Sequence, residues 1–225
     1  MTALDPAVTA QLARLRIVAD RPLIVCDVDE VVVHFLRGLE AHLQASGYWL
    51  DPASFALNGN IRRLGTNEQA STDEVRTLIF GYFDLHVGTM EPIEGAVEAL
   101  LALGERADIV LLTNLPPQYL PARVDHLASH GLTFPVIANV GPKGPTVSTM
   151  IANHGNTVVF LDDIPANIHS VAEHTPHVGL IHFMQDVRFA RLAPEPGAVL
   201  LQTDNWTDAR RFLDGHFSQP RRAGL

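Results

Sequence analysis

Cysteine is nearly absent from this chain: Cys26 is the only one in 225 residues. No intrachain disulfide can form, and no zinc site built on several thiolates can be assembled. A reducing compartment suits such a sequence. Positive charge is scarce as well. Lys and Arg number 16 against 25 Asp and Glu, for a formal net charge of −9. That balance argues against a nucleic acid polymer as partner, because binding a phosphate backbone needs clustered cations. Nowhere is there a run of about 18 apolar residues of the kind that spans a bilayer. The first residues lack a basic segment followed by an apolar stretch. The expectation is a soluble, cytoplasmic protein with no membrane partner. Internal repeats and low-complexity tracts are also missing, and only residues 218–225 read as a tail.

What the chain does have is material for a core. Hydrophobic residues make up 47% of it and charged ones 18%, which excludes wholesale disorder. The length suits one α/β domain with a modest insertion. Apolar, β-branched runs lie at 23–28, 108–113, 134–140, 157–162, 177–182 and 198–202, separated by helix-patterned segments. Near-continuous apolarity, without alternation, marks strands buried on both faces and predicts a parallel α/β sheet. Pro92 suits a first helical position, Ile93, Ala96, Val97 and Leu100 form a stripe, and Gly104 reads as a left-handed stop.

The interval between the first two runs is several times what one crossover helix needs. Inside it, residues 35–46 read as a helix with Leu36, Leu39 and Leu43 on one side and Gly47 as its stop. Ser71 and Glu74 form a capping box ahead of Val75, Leu78, Ile79, Tyr82 and Phe83 at helical spacing. A small helical cap at 35–90 is therefore expected over an α/β core at 1–34 and 91–225.

Asp27 and Asp29 end the first apolar run. Two carboxylates one residue apart at a buried strand end are costly unless something cationic lies between them, and a divalent metal is the simplest candidate. Thr113 and Asp162 end their runs too, and the carboxyl edge of an open α/β sheet is where ligands bind. Eleven histidines are present, with His126 and His130 four residues apart. They lack the Glu or Cys partners of a zinc motif, and surface or capping roles are expected for them. Residues 141–146 fail as a phosphate-binding loop, since Gly144 follows Lys143 where a hydroxyl residue is needed.

Asp27-x-Asp29, then Thr113 in Ile109-Val-Leu-Leu-Thr-Asn114, Lys143 in Gly141-Pro-Lys-Gly144, and Asp162-Asp163 in Phe160-Leu-Asp-Asp-Ile164 follow one another in order. On these motifs the chain resembles the haloacid dehalogenase superfamily of aspartate-nucleophile phosphohydrolases. The resemblance implies a Rossmann-like sheet of order 5-4-1-2-3 with a cap inserted after the first strand. It implies Asp27 as nucleophile and Asp29 as acid/base. It also implies Mg2+ held by the Asp27 side chain, the Asp29 carbonyl and a carboxylate of Asp162 or Asp163, the latter preferred. Thr113, Asn114 and Lys143 would hold the phosphoryl oxygens of a small phosphorylated metabolite. A receiver-type phosphoacceptor fits less well, having no counterpart to the long insert.

Glu30 departs from the family pattern, standing where a glycine commonly follows the second aspartate. Its carboxylate would either raise the pKa of Asp29 or point away into the cap hinge. The first motif, Pro92-Ile-Glu-Gly-Ala-Val-Glu-Ala and the aspartate doublet are similar to the 5′(3′)-deoxyribonucleotidases, although His34 replaces their usual aspartate. That similarity implies a nucleoside monophosphate, with Phe35, Trp49 or Tyr82 stacking on its ring and Arg62 and Arg63 meeting a second phosphate. Glu30 and His34 also motivate a different reading, a catalytically silent relative that binds a phosphorylated ligand or a protein partner through the same crevice.

Overall fold

All six apolar runs become parallel strands of one sheet. A computed structural model describes residues 4–192, 197 and 199–218. In chain order the elements are α1 (Pro6–Arg14), β1 (Leu23–Cys26), α2 (Leu36–Ala45), β2 (Tyr48–Leu50), β3 (Ile61–Arg63), α3 (Thr72–His86), α4 (Ala96–Gly104) and β4 (Asp108–Thr113). There follow a 3₁₀ turn (Pro117–Tyr119), α5 (Leu120–Ser129), β5 (Val136–Ala138), α6 (Lys143–Met150), β6 (Val158–Asp162), α7 (Pro165–His174), β7 (Gly179–Phe183), α8 (Val187–Ala190), β8 (Leu201–Thr203) and α9 (Trp206–Ser218).

The sheet runs β5-β4-β1-β6-β7-β8, and every neighbouring pair is parallel. This is the expected order with β8 added at one edge. Ala198, at the start of the expected last strand, and residues 219–225 of the expected tail lie outside the described residues. Successive residues of β1 face opposite ways. Ile24 and Cys26 join the core under α4, α5 and α9, whereas Leu23 and Val25 join the core under α1, α6 and α7. Both faces are covered, so the strand needs no polar side. At the β5 edge, Gln11 of α1 stands in for a further strand. Its Oε1 accepts from Ala138 N at 2.9 Å, and its Nε2 donates to Ala138 O at 3.1 Å, satisfying an edge that would otherwise invite pairing.

Three local expectations need correction. Pro92 does not open a helix: it forms an isolated bridge with Val33, and α4 begins at Ala96 after Gly95 at φ 78°. The chain returning from the insert first runs beside the first-motif loop, His34 N donating to Glu91 O at 2.9 Å and Ile93 N to Val32 O at 2.8 Å. Gly104 is the last residue of α4 and is not left-handed. The Phe134 ring lies 2.9 Å from where its Cβ would stand, so close approach explains the glycine. The insert is not purely helical, because β2 and β3 form an antiparallel ribbon between α2 and α3. Gly47 (φ 84°) and the Ser71–Glu74 capping box are as expected. Among the described residues no helix is long and apolar enough to cross a membrane.

Candidate active site

β1 stops at Cys26, two residues short of the apolar run, because the chain then coils. Asp27 N still donates to Leu161 O of β6 at 2.9 Å, but the Val28 carbonyl next accepts from Val32 N at 2.8 Å and Val33 N at 3.0 Å. Glu30 makes this turn at φ 62°, a left-handed conformation that costs a non-glycine residue about 1–2 kcal/mol. The side chain offsets that cost. Glu30 Oε1 accepts from Phe35 N at 2.7 Å and Leu36 N at 2.6 Å, using donors that the first turn of a helix leaves unpaired. Glu30 thus points to the start of α2, where the chain enters the insert. Burial raises its pKa, and the Leu36 and Phe35 amides oppose that rise. Glu30→Ala should lower stability by about 1–2 kcal/mol, since it loses the cap and keeps the strained backbone. Glu30→Gly should recover part of the loss. Urea melts check the ranking, and an alanine variant as stable as the parent would refute it.

The carboxylates of Asp27, Asp162 and Asp163 cluster below this loop. Each offers an oxygen within 4.8 Å of the others. Lys143, at the start of α6 and 1% exposed, bridges two of them. Its Nζ donates to Asp27 Oδ1 at 2.5 Å and to Asp162 Oδ2 at 2.6 Å. It is the only lysine in the chain, every other cationic side chain being arginine. Burial pulls its pKa down, but Asp162 and Asp27 more than compensate and hold it above the ordinary value. Burial pushes Asp27 above the usual carboxylate range, Lys143 opposing and Asp162 and Asp29 adding to the rise. Asp163 is likewise raised, by burial and then by Asp162 and Asp27. One ammonium does not balance three buried carboxylates.

The two members of the doublet have different surroundings. Asp162 is satisfied by the protein: besides Lys143 it accepts from Ile164 N at 2.9 Å and Asn167 Nδ2 at 3.0 Å. Asp163 lines the cavity, and its buried Oδ1 has no hydrogen-bond partner among the described residues. Its carbonyl accepts from His182 Nε2 at 3.0 Å. An orphaned carboxylate oxygen beside surplus negative charge, in an all-oxygen donor set, fits a hard divalent cation such as Mg2+.

Asp29 is held from the far side. Oδ1 accepts from Arg123 Nη2 at 2.8 Å and Oδ2 from Thr113 Oγ1 at 3.1 Å. The Arg123 guanidinium is fully buried. Thr113 Oγ1 also accepts from Leu115 N at 3.1 Å. Asn114 donates to Gly141 O at 2.9 Å and accepts from Asn139 Nδ2 at 3.0 Å, tying the β4 and β5 loops together.

Above this floor lies a cavity of about 350 Å3, lined on one side by residues of the insert. Asp27, Asp29, Lys143, Asp163 and Asn114 line it, as do Glu30 and Phe35, while Thr113 and Asp162 support the lining from behind. The remaining sequence candidates are elsewhere. Arg62 pairs with Asp51 at 3.0 Å, Arg63 pairs with Glu74, and Trp49 sits opposite Arg62 in the ribbon. The Tyr82 hydroxyl donates to Phe35 O at 3.1 Å. His34 and Tyr82 border a separate surface cleft with His42 and His86. The expectation of surface histidines also needs correction, because His126 and His182 are buried. Arg123 and His126 were legible as anomalies: on α5 they fall with Leu127 on its buried side, where an arginine needs a partner.

Parallel strands in this order, with an insert behind the first and acidic residues at the carboxyl edge, give the chain the fold of the haloacid dehalogenase-like hydrolases. Three solved structures illustrate it. A HAD family hydrolase from Deinococcus radiodurans R1, with bound phosphate and sodium, is similar at TM-score 0.61 and 15% identity, over 90% of this chain and 100% of that one. A candidate HAD-hydrolase from Bacillus subtilis, bound to magnesium, matches at TM-score 0.59 and 11% identity, over 87% and 99%. A candidate β-phosphoglucomutase from Bacteroides vulgatus matches at TM-score 0.58 and 12% identity, over 95% and 97%. No family model matches the sequence, and no curated protein matches it.

Proposed function

We propose that the protein is a magnesium-dependent phosphomonoester hydrolase that works through an aspartyl phosphate on Asp27, acting on a small phosphorylated metabolite in the cytoplasm. Residues 35–90 then form a cap over the core formed by the rest of the chain. The observation that carries the reading is the floor of the cavity, where Lys143 pins one oxygen of Asp27 and Asp163 keeps a buried oxygen unpaired. Asp27 Oδ2 makes no hydrogen bond to any described residue, which leaves it for in-line attack on phosphorus. Asp27 and Asp163, with the Asp29 carbonyl, would hold Mg2+, whose charge neutralises the phosphoryl oxygens that otherwise repel a nucleophile.

The other residues divide the remaining work. Lys143 offsets charge on the transferred group, and the backbone N–H of Asn114 contacts an equatorial oxygen. The Thr113 hydroxyl has one proton, which it gives to Asp29 at rest. Turning that proton to a phosphoryl oxygen frees Asp29 Oδ2 to take up a proton from solvent, which it gives to the departing alkoxide; the carboxylate so formed then takes a proton from the water that cleaves the acyl phosphate. Arg123 keeps Asp29 oriented throughout. Glu30, engaged as a helix cap, gives little support to the silent-relative reading.

The general monoester p-nitrophenyl phosphate should release inorganic phosphate in the presence of Mg2+, lose that activity with EDTA, and regain it when Mg2+ is restored. Binding has its own readout, because lysine labelled with 15N gives one side-chain NMR signal, which Mg2+ and phosphate should shift. No phosphate release from any monoester, together with saturable binding, would instead favour a binding module.

A further inference from the structure

The cavity walls carry information about the alcohol half of the ester, an inference that rests on the phosphatase reading. We propose that the substrate is a monophosphate of an apolar alcohol, with an alkyl or aryl group and no second phosphate. Above the charged floor, rings come from both sides: Phe55 from the insert meets Phe189 of α8 at 5.6 Å between centroids, and Phe35 meets Phe83 at 5.7 Å. Leu50 and Ile79 fill between them. Among the described residues Lys143 is the only cation that lines the cavity, and it is already committed to Asp27 and Asp162.

A second phosphate would find no free counter-charge among the described lining residues. The remaining lining charges are carboxylates: Glu30 caps α2, and Asp186 is paired with Arg188 at 2.6 Å. Arg62 and Arg63 do not line the cavity and have acidic partners of their own. A polyhydroxylated sugar fares poorly for a different reason. The side-chain amides of Asn114 and Asn167 both donate within the protein, and that of Asn114 accepts there too, while Gln185 is the lining amide whose side chain makes no hydrogen bond to a described residue. Each hydroxyl buried without a partner costs about tenfold or more in affinity. A cavity of about 350 Å3 is at the small end for ligand sites, with room for a phosphoryl group and one ring or short chain.

Pentyl phosphate, pentane-1,5-diol bisphosphate and ribose 5-phosphate share a primary alkoxide leaving group, so differences in kcat/KM report the wall. Pentyl phosphate should exceed each of the others, and a nucleoside monophosphate, by about tenfold or more. Leu57 of the insert also lines the cavity, and Leu57→Arg, which adds a cation to the wall, should narrow the gap to the bisphosphate at least several-fold. Preference for the bisphosphate, the sugar phosphate or the nucleotide would overturn the inference while leaving the phosphatase intact. Titration calorimetry on Asp27→Asn ranks the same ligands without turnover. If no monoester, p-nitrophenyl phosphate included, is hydrolysed by the parent, the phosphatase reading fails, and the calorimetric ranking still decides whether the wall prefers the apolar ligand.

Discussion

Replacing Asp27 by asparagine should reduce phosphate release by on the order of 10⁴-fold or more, the scale of loss when a covalent nucleophile is removed. The carboxamide has nearly the same shape, so substrate binding should survive. Stability should survive as well, since burial already makes the charged form of Asp27 unfavourable and Lys143 keeps Asp162 as a partner. Steady-state rates together with urea melts separate the two effects. Ordinary turnover in the variant would mean that another group attacks phosphorus, and a collapse in stability would make the lost rate uninformative.

The second large effect is expected at Lys143. Lys143→Met fills most of the space but leaves Asp27 and Asp162 without their shared cation. Losing one partner of a buried charge cluster typically costs about 3–5 kcal/mol. The cost should depend on pH in metal-free buffer. Burial holds the folded-state pKa values of Asp27 and Asp163 above their ordinary values. Such groups favour the fold when protonated, and that contribution disappears as pH rises through the folded pKa. Lys143 opposes the rise at Asp27, so its removal lifts that pKa further and the variant goes on losing stability to higher pH than the parent; the deficit should therefore be larger at pH 8 than at pH 6, and Mg2+ should reduce it. Lys143→Arg should do little better, because a planar, forked guanidinium does not substitute for a compact ammonium held between two carboxylates. Equal stability of parent and Lys143→Met across this range, by urea melts, would show that the bridge contributes nothing.

The floor of the site was legible because each of its residues follows a strand, and strand ends are read from local sequence. Asp27, Asp29, Thr113, Lys143 and Asp162-Asp163 all reach one edge once the sheet order is known. A further sign was in the composition: in a chain that otherwise uses arginine, the single lysine stands at the centre of the cluster. Glu30 was legible as an anomaly, but its purpose depends on where α2 begins. Arg123 showed only as a charge on the apolar side of α5, and its partner Asp29, like the Asp163 carbonyl that His182 meets, could not be read from neighbouring sequence.

The wall was the least legible part. Trp49, Tyr82, Arg62 and Arg63 have suitable chemistry for a nucleotide, yet which face of the insert looks inward depends on how it packs over the core. The three-residue strands β2 and β3 are too short to show an alternating pattern, and they carry Trp49, Arg62 and Arg63 away from the cavity. Pro92 misled for a related reason. Proline opens helices by local preference, and here tertiary pairing with Val33 takes precedence.

The covalent intermediate is the central claim, and borohydride trapping tests it most directly. Borohydride reduces an acyl phosphate to an alcohol but spares a free carboxylate. Quenching the enzyme with borohydride during turnover of a monoester with Mg2+ should convert Asp27 to homoserine, as read by peptide mass spectrometry. The conversion should be absent without substrate. Steady phosphate release under the same conditions with Asp27 unmodified, or with homoserine at another aspartate, would contradict the account.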